Sequence, residues 1–113
     1  MASPVQQIIE TQQLGSSAGL LYTSPSNVWT QIIALTAVNT DTATRTITLY
    51  IVPSGGSAGA PTESTPPRAL LAGGGYNGQN EYGMVLNPGD AIWGVADTAA
   101  KVNVFASGLL NVS

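Results

Sequence analysis

No cysteine and no histidine occur in this chain, and lysine occurs once, at Lys101. These absences remove thiolate nucleophiles, disulfide links, imidazole proton shuttles and the commonest metal ligands from the available chemistry. Charge of either sign is scarce. Two arginines (Arg45, Arg68) and six acids complete the set, so 8% of residues are charged, against about 25% in an ordinary soluble domain. With a net charge of −3 and no cluster of basic residues, binding to nucleic acid is not expected. No run of eighteen apolar residues exists to form a membrane-spanning helix. Residues Met1 to Gln7 have neither a basic region nor an apolar core, so a secretory signal is not expected at that end.

What is present is Thr, Ser, Ala, Gly, Val and Leu, the material of pleated, packed surfaces. A chain of 113 residues makes one domain that buries roughly 65% of its unfolded surface, enough for a core without disulfides. Few charges leave a surface weakly protected against association. Such a surface is either kept in solution by hydroxyls and amides or covered by partners.

Period-two alternation and turn residues dominate the chain. From Arg45 to Val52, Ile47, Leu49 and Ile51 alternate with Thr46, Thr48 and Tyr50, and Pro53-Ser54-Gly55-Gly56 ends the strand. From Val28 to Asn39, Trp29, Ile33 and Leu35 fall on one face and Ile32, Ala34 and Val38 on the other, which reads as a central strand covered on both faces. The short polar link Thr40-Asp41-Thr42-Ala43 predicts that these two strands form a hairpin, with Ile33, Leu35, Ile47, Leu49 and Ile51 in the core. A second hairpin is expected where Tyr82–Leu86 and Ala91–Ala96 flank Asn87-Pro88-Gly89-Asp90, a proline–glycine turn. Lys101 to Leu110 closes the domain, with Val102 and Val104 alternating against Asn103 and Phe105. Leu20–Thr23 and Arg68–Leu71 are shorter strands. Ser54–Pro67 and Gly73–Gly78 read as loops. Six to eight short strands with a turn about every ten residues predict an all-β, single-domain antiparallel β-sandwich, jelly-roll-like.

Each feature that invites a chemical reading also has a plainer one. The glycines at 73–78 lack the lysine and following helix of a phosphate loop, so they read as a turn. Asp90 and Asp97 occupy turn positions where Asp caps its own backbone, and no third acid lies nearby for a metal. A serine nucleophile would need Lys101 as its base, and nothing marks a partner serine. No catalytic residue, metal site or cofactor is therefore assigned. Trp29 and Trp93 sit in strands, where core packing is the ordinary explanation. Tyr76 and Tyr82 flank a loop and are the candidates for surface contact, including a carbohydrate platform for host attachment.

The N-terminal segment is glutamine-rich, with apolar Val5, Ile8, Ile9 and Leu14. It divides the chain into an arm over 1–17 and a sandwich over 18–113. Four apolar side chains are too few to fold alone, so the arm is expected to be buried by another subunit. The four are assigned as partner contacts together with Tyr76 and Tyr82.

The succession Leu35–Asn39, Thr46–Gly56, Leu86-Asn87-Pro88-Gly89-Asp90-Ala91-Ile92 and Val102–Gly108 resembles small β-sandwich virion proteins of tailed bacteriophages. In that group a strand ending in a Pro-Ser-Gly-Gly-like run precedes a Gly-Asp turn and a closing strand that ends in Ser-Gly. The resemblance spans about Leu20 to Leu110 and implies a capsid decoration (cement) subunit, or a tail or neck protein. It further implies the major capsid protein or other virion subunits as partners, homo-oligomerisation, and residence in a virion assembled in the host cytoplasm. The N-terminal arm has no counterpart in that pattern.

Overall fold

A computed structural model describes residues 5–112. The expected arm therefore loses residues 1–4, and the expected domain loses Ser113, to positions outside the described residues. Among the described residues nine strands form: β1 (Val5–Gln13), β2 (Gly19–Thr23), β3 (Val28–Asn39), β4 (Arg45–Val52), β5 (Glu63–Leu70), β6 (Gly75–Tyr76), β7 (Val85–Leu86), β8 (Ala91–Ala96) and β9 (Val102–Val112). A single 3₁₀ turn, Ala60–Thr62, precedes β5.

The strands make two antiparallel sheets. The first has the order β1-β9-β3-β6, with β7 also paired to β3; the second has the order β2-β8-β4-β5. Every pair joins an early strand to a late one: β1 and β3 with β9, β2 and β4 with β8, β3 also with β6 and β7, and β4 with β5. The chain is thus one long hairpin whose tip lies between β4 and β5, rolled so that its ribbon crosses from sheet to sheet. That is the jelly-roll arrangement expected from the sequence.

The two expected hairpins are not formed. β3 and β4 lie in different sheets, and so do β7 and β8. Their apolar faces meet across the interior instead of lying side by side, which the short polar links permit equally well. Buried Asn39 fixes the first crossing. Its Nδ2 donates to the carbonyls of Ala43 and Leu70, both at 2.9 Å, and its Oδ1 accepts the Asp41 N–H. At the second crossing, the Asp90 N–H donates to the Asn87 carbonyl and the Asp90 carboxylate accepts the N–H groups of Asn87 and Ser54. The proline–glycine turn is present as expected, but it links sheets.

The faces of β3 also differ from the simple alternation. A β-bulge between Ile32 and Ala34 shifts its register on β9. An extra residue reverses the parity of every side chain beyond it. Thr30 and Ile32 point inward before the bulge, Leu35, Ala37 and Asn39 after it, and Ile33 is left half-buried. Of the five expected core residues, Leu35, Ile47 and Leu49 are fully buried, Ile51 packs at the margin, and Ile33 does not belong to the core.

The expected loop over 54–67 ends early, because β5 begins at Glu63 and runs through Pro66-Pro67. Proline lacks an N–H, and β5 tolerates two because it is an edge strand. The prolines fall in the irregular stretch between the Thr65–Leu49 and Arg68–Ile47 pairs. The glycine stretch likewise contributes β6 to the first sheet.

The largest departure concerns the N-terminus. Residues 5–13 are not an arm; they are the outer strand of the first sheet, paired with β9 from Val5–Leu109 to Gln13–Asn103. Ile9 and Leu14 are buried in the chain's own core, and Leu14 donates its N–H to the Val102 carbonyl. Burying two such side chains is worth about 1.5–3 kcal/mol each. The β9 edge supplies the burial and the backbone partners that were expected from a neighbouring subunit.

Candidate interaction surface

Charge is distributed unevenly over this frame. Strands β3, β6, β7 and β9 contain no charged residue, and β1 contains only Glu10. In the second sheet, β2 and β8 contain none, while Arg45 opens β4 and Glu63 and Arg68 lie on edge strand β5. The other charged residues, Asp41, Glu81, Asp90, Asp97 and Lys101, lie in connections. The outer face of the first sheet is thereby left to uncharged side chains apart from Glu10, and that of the second carries Glu63 on its β5 edge, opposite Tyr50.

On the first sheet, strict alternation sends Val102, Val104 and Ala106 inward and Asn103, Phe105, Ser107 and Leu109 outward. Cross-strand partners share a face. One outward row therefore runs Val5–Leu109–Gln31–Val85 across four strands. Trp29 lies opposite Asn111, and Phe105 opposite Thr36. Val5 is 58% exposed, Val85 54%, Trp29 37% and Phe105 36%. Trp29 is thus an outward residue, contrary to the core role expected of it. Trp93 also faces outward, on the second sheet between Leu20 and Tyr50, and is half-buried.

Tyr76 and Tyr82 do not form a platform together. Tyr82 is exposed, but Tyr76 is fully buried. Its hydroxyl donates to Glu81 Oε1 at 2.8 Å, and Ser64 and Thr65 donate to Oε2 at 2.6 and 2.7 Å. Buried Glu81 therefore has three hydroxyl donors, the compensation a buried carboxylate requires. The Asn80 N–H donates to the Tyr76 hydroxyl, and the Arg68 guanidinium lies 5.0 Å above the Tyr76 ring centre. Burial raises the Tyr76 pKa above its ordinary value, against the opposing pull of the Asn80 N–H. The cluster fastens the 77–84 connection to β5 and closes the sandwich where β5 faces β6. Sequence reasoning missed Glu81 altogether, because nothing in a polar stretch marks one acid as buried.

Of the four N-terminal apolar residues, only Val5 is well exposed. Ile9 and Leu14 are core residues, and half-buried Ile8 packs beside Gly108. The free edge of β1 is interrupted by register shifts on either side of Ile9, which makes it a poor template for adding a further strand. The broad face is the better contact surface.

At the Asp41 end of the molecule, the Arg45 guanidinium binds the Asp41 carboxylate through Nε at 2.7 Å and Nη2 at 2.6 Å, and donates through Nη1 to Thr98 Oγ1 at 2.9 Å. The Arg45 hydrogen bond, helped by the Thr42 N–H, holds the Asp41 carboxyl below its ordinary value. This ties the β3–β4 crossing to the β8–β9 turn. Asp97 is exposed, and its N–H donates to the Thr46 carbonyl. A shallow groove of about 740 Å³ is lined by Ser24, Asn27, Ser54 and Pro88, among others. The Ser24 hydroxyl beside it is engaged by the Val28 carbonyl and the Thr30 hydroxyl. Among the described residues, no three His, Cys, Asp or Glu side chains come together to hold a metal ion.

No family model and no curated protein matches the sequence. A solved structure described as "Bacillus endospore appendages form a novel family of disulfide-linked pili" is similar, with 12% of residues identical and a TM-score of 0.56. The match covers 99% of this chain and 90% of that chain. At this identity the likeness shows the fold.

Proposed function

We propose that the chain is a non-enzymatic structural subunit that works in many copies on the surface of a virion, as a capsid decoration or cement protein. One observation carries the reading: an outer face of a jelly-roll sheet, with Glu10 as its one charge, that displays Trp29, Phe105, Val85 and Val5 to solvent. Contact surfaces between proteins are depleted of charge at their centres and enriched in Trp and Phe. The mechanism is apolar area buried per copy, multiplied by copy number. The resemblance of its strands and turns to phage virion proteins supports this setting, with the major capsid protein as partner.

The structural likeness favours a second reading within the same class, a subunit of a polymeric appendage. The similar protein is described as forming disulfide-linked pili. This chain has no cysteine, so its polymer would be held by surface contact alone. The carbohydrate reading loses half its platform with Tyr76 in the interior, and a tail or neck location remains a variant of the virion reading.

The test is to remove the chain from particles and add it back. Decoration predicts saturable rebinding and greater resistance of the particles to heat. Failure to bind particles, combined with glycan binding that Tyr82→Ala abolishes, would replace the proposal with the carbohydrate reading.

A further inference from the structure

We infer that the outer face of the β1-β9-β3-β7 sheet is a self-association surface on which a second copy of this chain packs face to face. This rests on the reading of the chain as an assembling structural subunit, and it names which surface assembles and with what.

Three properties of the face select a second copy as its occupant. The first is charge. Two copies each carrying −3 repel wherever their acids meet, and like charges brought together oppose docking. On this face the only acid is Glu10, on the outermost strand, so two copies can approach here with little repulsion. A strongly charged partner would find nothing to pair with. The second is shape. The sheets of a sandwich share one hand of twist, and two such sheets pack aligned at about −30° and about 10 Å apart. A second copy presents an identically twisted sheet, so the geometry that joins the two sheets within one subunit is repeated between two. The third is area. Strands β1, β9, β3 and β7 hold 9, 11, 12 and 2 residues, which at about 3.3 Å per residue and about 4.8 Å between strands gives a face of about 540 Å². A stable interface needs about 800 Å² per partner. Used whole, from Trp29 at one end through the Val5–Val85 row and Ile33 to Phe105, the face is the size of a weak, reversible contact, repeated over many copies.

The outward polar residues suit the same contact. Gln31, Ser107 and Asn111 lie between the apolar side chains and are uncharged. Across a two-fold axis, amides and hydroxyls pair with their own kind as both donors and acceptors.

The test is sedimentation velocity of the full chain over a range of concentrations, with single variants on each face. The parent chain is expected to self-associate reversibly, as strongly at high salt as at low. Phe105→Glu and Val85→Lys should each weaken the association by at least about tenfold, as loss of a central contact does. Leu20→Glu, on the opposite sheet, should leave it unchanged. Circular dichroism confirms that each variant is folded; if Phe105→Glu unfolds, Val85→Lys on the short β7 decides. A parent chain that stays monomeric up to millimolar concentration overturns the inference, as does association lost in Leu20→Glu and kept in Val85→Lys. A monomeric chain that still rebinds particles would overturn this inference alone. A dimer that ignores particles would overturn the virion reading and leave this one standing.

Discussion

Tyr76 donates its phenolic hydrogen to Glu81 across 2.8 Å, and neither side chain is reached by solvent. The pair lies five residues apart on a connection that reads as an exposed loop, yet it closes one side of the sandwich. Removing one donor leaves the carboxylate under-satisfied in a site closed to bulk solvent. Tyr76→Phe is therefore expected to lower stability by about 1–3 kcal/mol, and Glu81→Ala, which strands three hydroxyls, by a similar amount or more. Tyr82→Ala, at an exposed position, should stay within about 0.5 kcal/mol of the parent. Chemical denaturation of the three variants checks the ordering.

The buried sides of β3 and β4 face each other across the interior, and Leu49 is fully buried between the sheets. Leu49→Ala should cost about 2–5 kcal/mol. Ile33→Ala should cost less, because the bulge turns Ile33 away from the core. Equal denaturation midpoints for the two variants would show that the bulge does not divide the faces.

Gly78 has a positive φ of 60°, and a Cβ there would sit 2.6 Å from the Leu35 carbonyl oxygen. Gly78→Ala is expected to cost more than the roughly 1–2 kcal/mol of left-handed backbone strain, because the backbone must also move. Gly55, with φ of 80° and open space around it, supplies the control, where strain alone is felt. Thermal melts of both variants measure the difference.

The pH dependence follows from two groups with opposite signs. The Asp41 carboxyl is held below its ordinary 3.8 by Arg45, so its contribution is present above that value and is lost as pH falls through the lower folded value. Asp41→Asn should flatten the acid limb of a stability–pH curve. The Tyr76 pKa is raised above 10.0 by burial, so its contribution is complete below 10.0 and is lost as pH rises through the folded value. Tyr76→Phe should make the alkaline limb shallower.

The sandwich and most of its strands could be read from period-two alternation, and β9 follows its pattern residue by residue. The pairing could not. A short polar link serves a hairpin and a sheet crossing equally, so Thr40–Ala43 does not reveal that β3 and β4 part company. The bulge at Ile33 inserts no special residue, which hid the reversal that turns Ile33 outward. The amphipathic pattern at Ile8, Ile9 and Leu14 shows that something must cover them, but not whether the cover belongs to the same chain. Trp29 and Phe105 were legible as strand residues, and only the paired register shows that they share a face almost without charge. Tyr76 failed as a surface candidate because its partner Glu81 carries no local signal.

The N-terminal strand separates an arm from an integral part of the fold. Deleting residues 1–14 removes β1, uncovers the β9 edge and takes Ile9 and Leu14 from the core. The truncated chain is expected to be unfolded or to have lost several kcal/mol, since burial of the two side chains alone contributes about 1.5–3 kcal/mol each. A truncated chain with the parent's melting temperature would restore the arm.

The central claim is that this chain acts in many copies on a particle, through surface contact. The most direct measurement is quantitative mass spectrometry of particles purified from cells that express it, referenced to the major shell protein. The chain is expected to be present in a fixed, reproducible ratio, and that ratio to fall when Phe105→Glu or Val85→Lys replaces the parent. Recovery of the chain only as free protein, with none sedimenting with any particle, would contradict it.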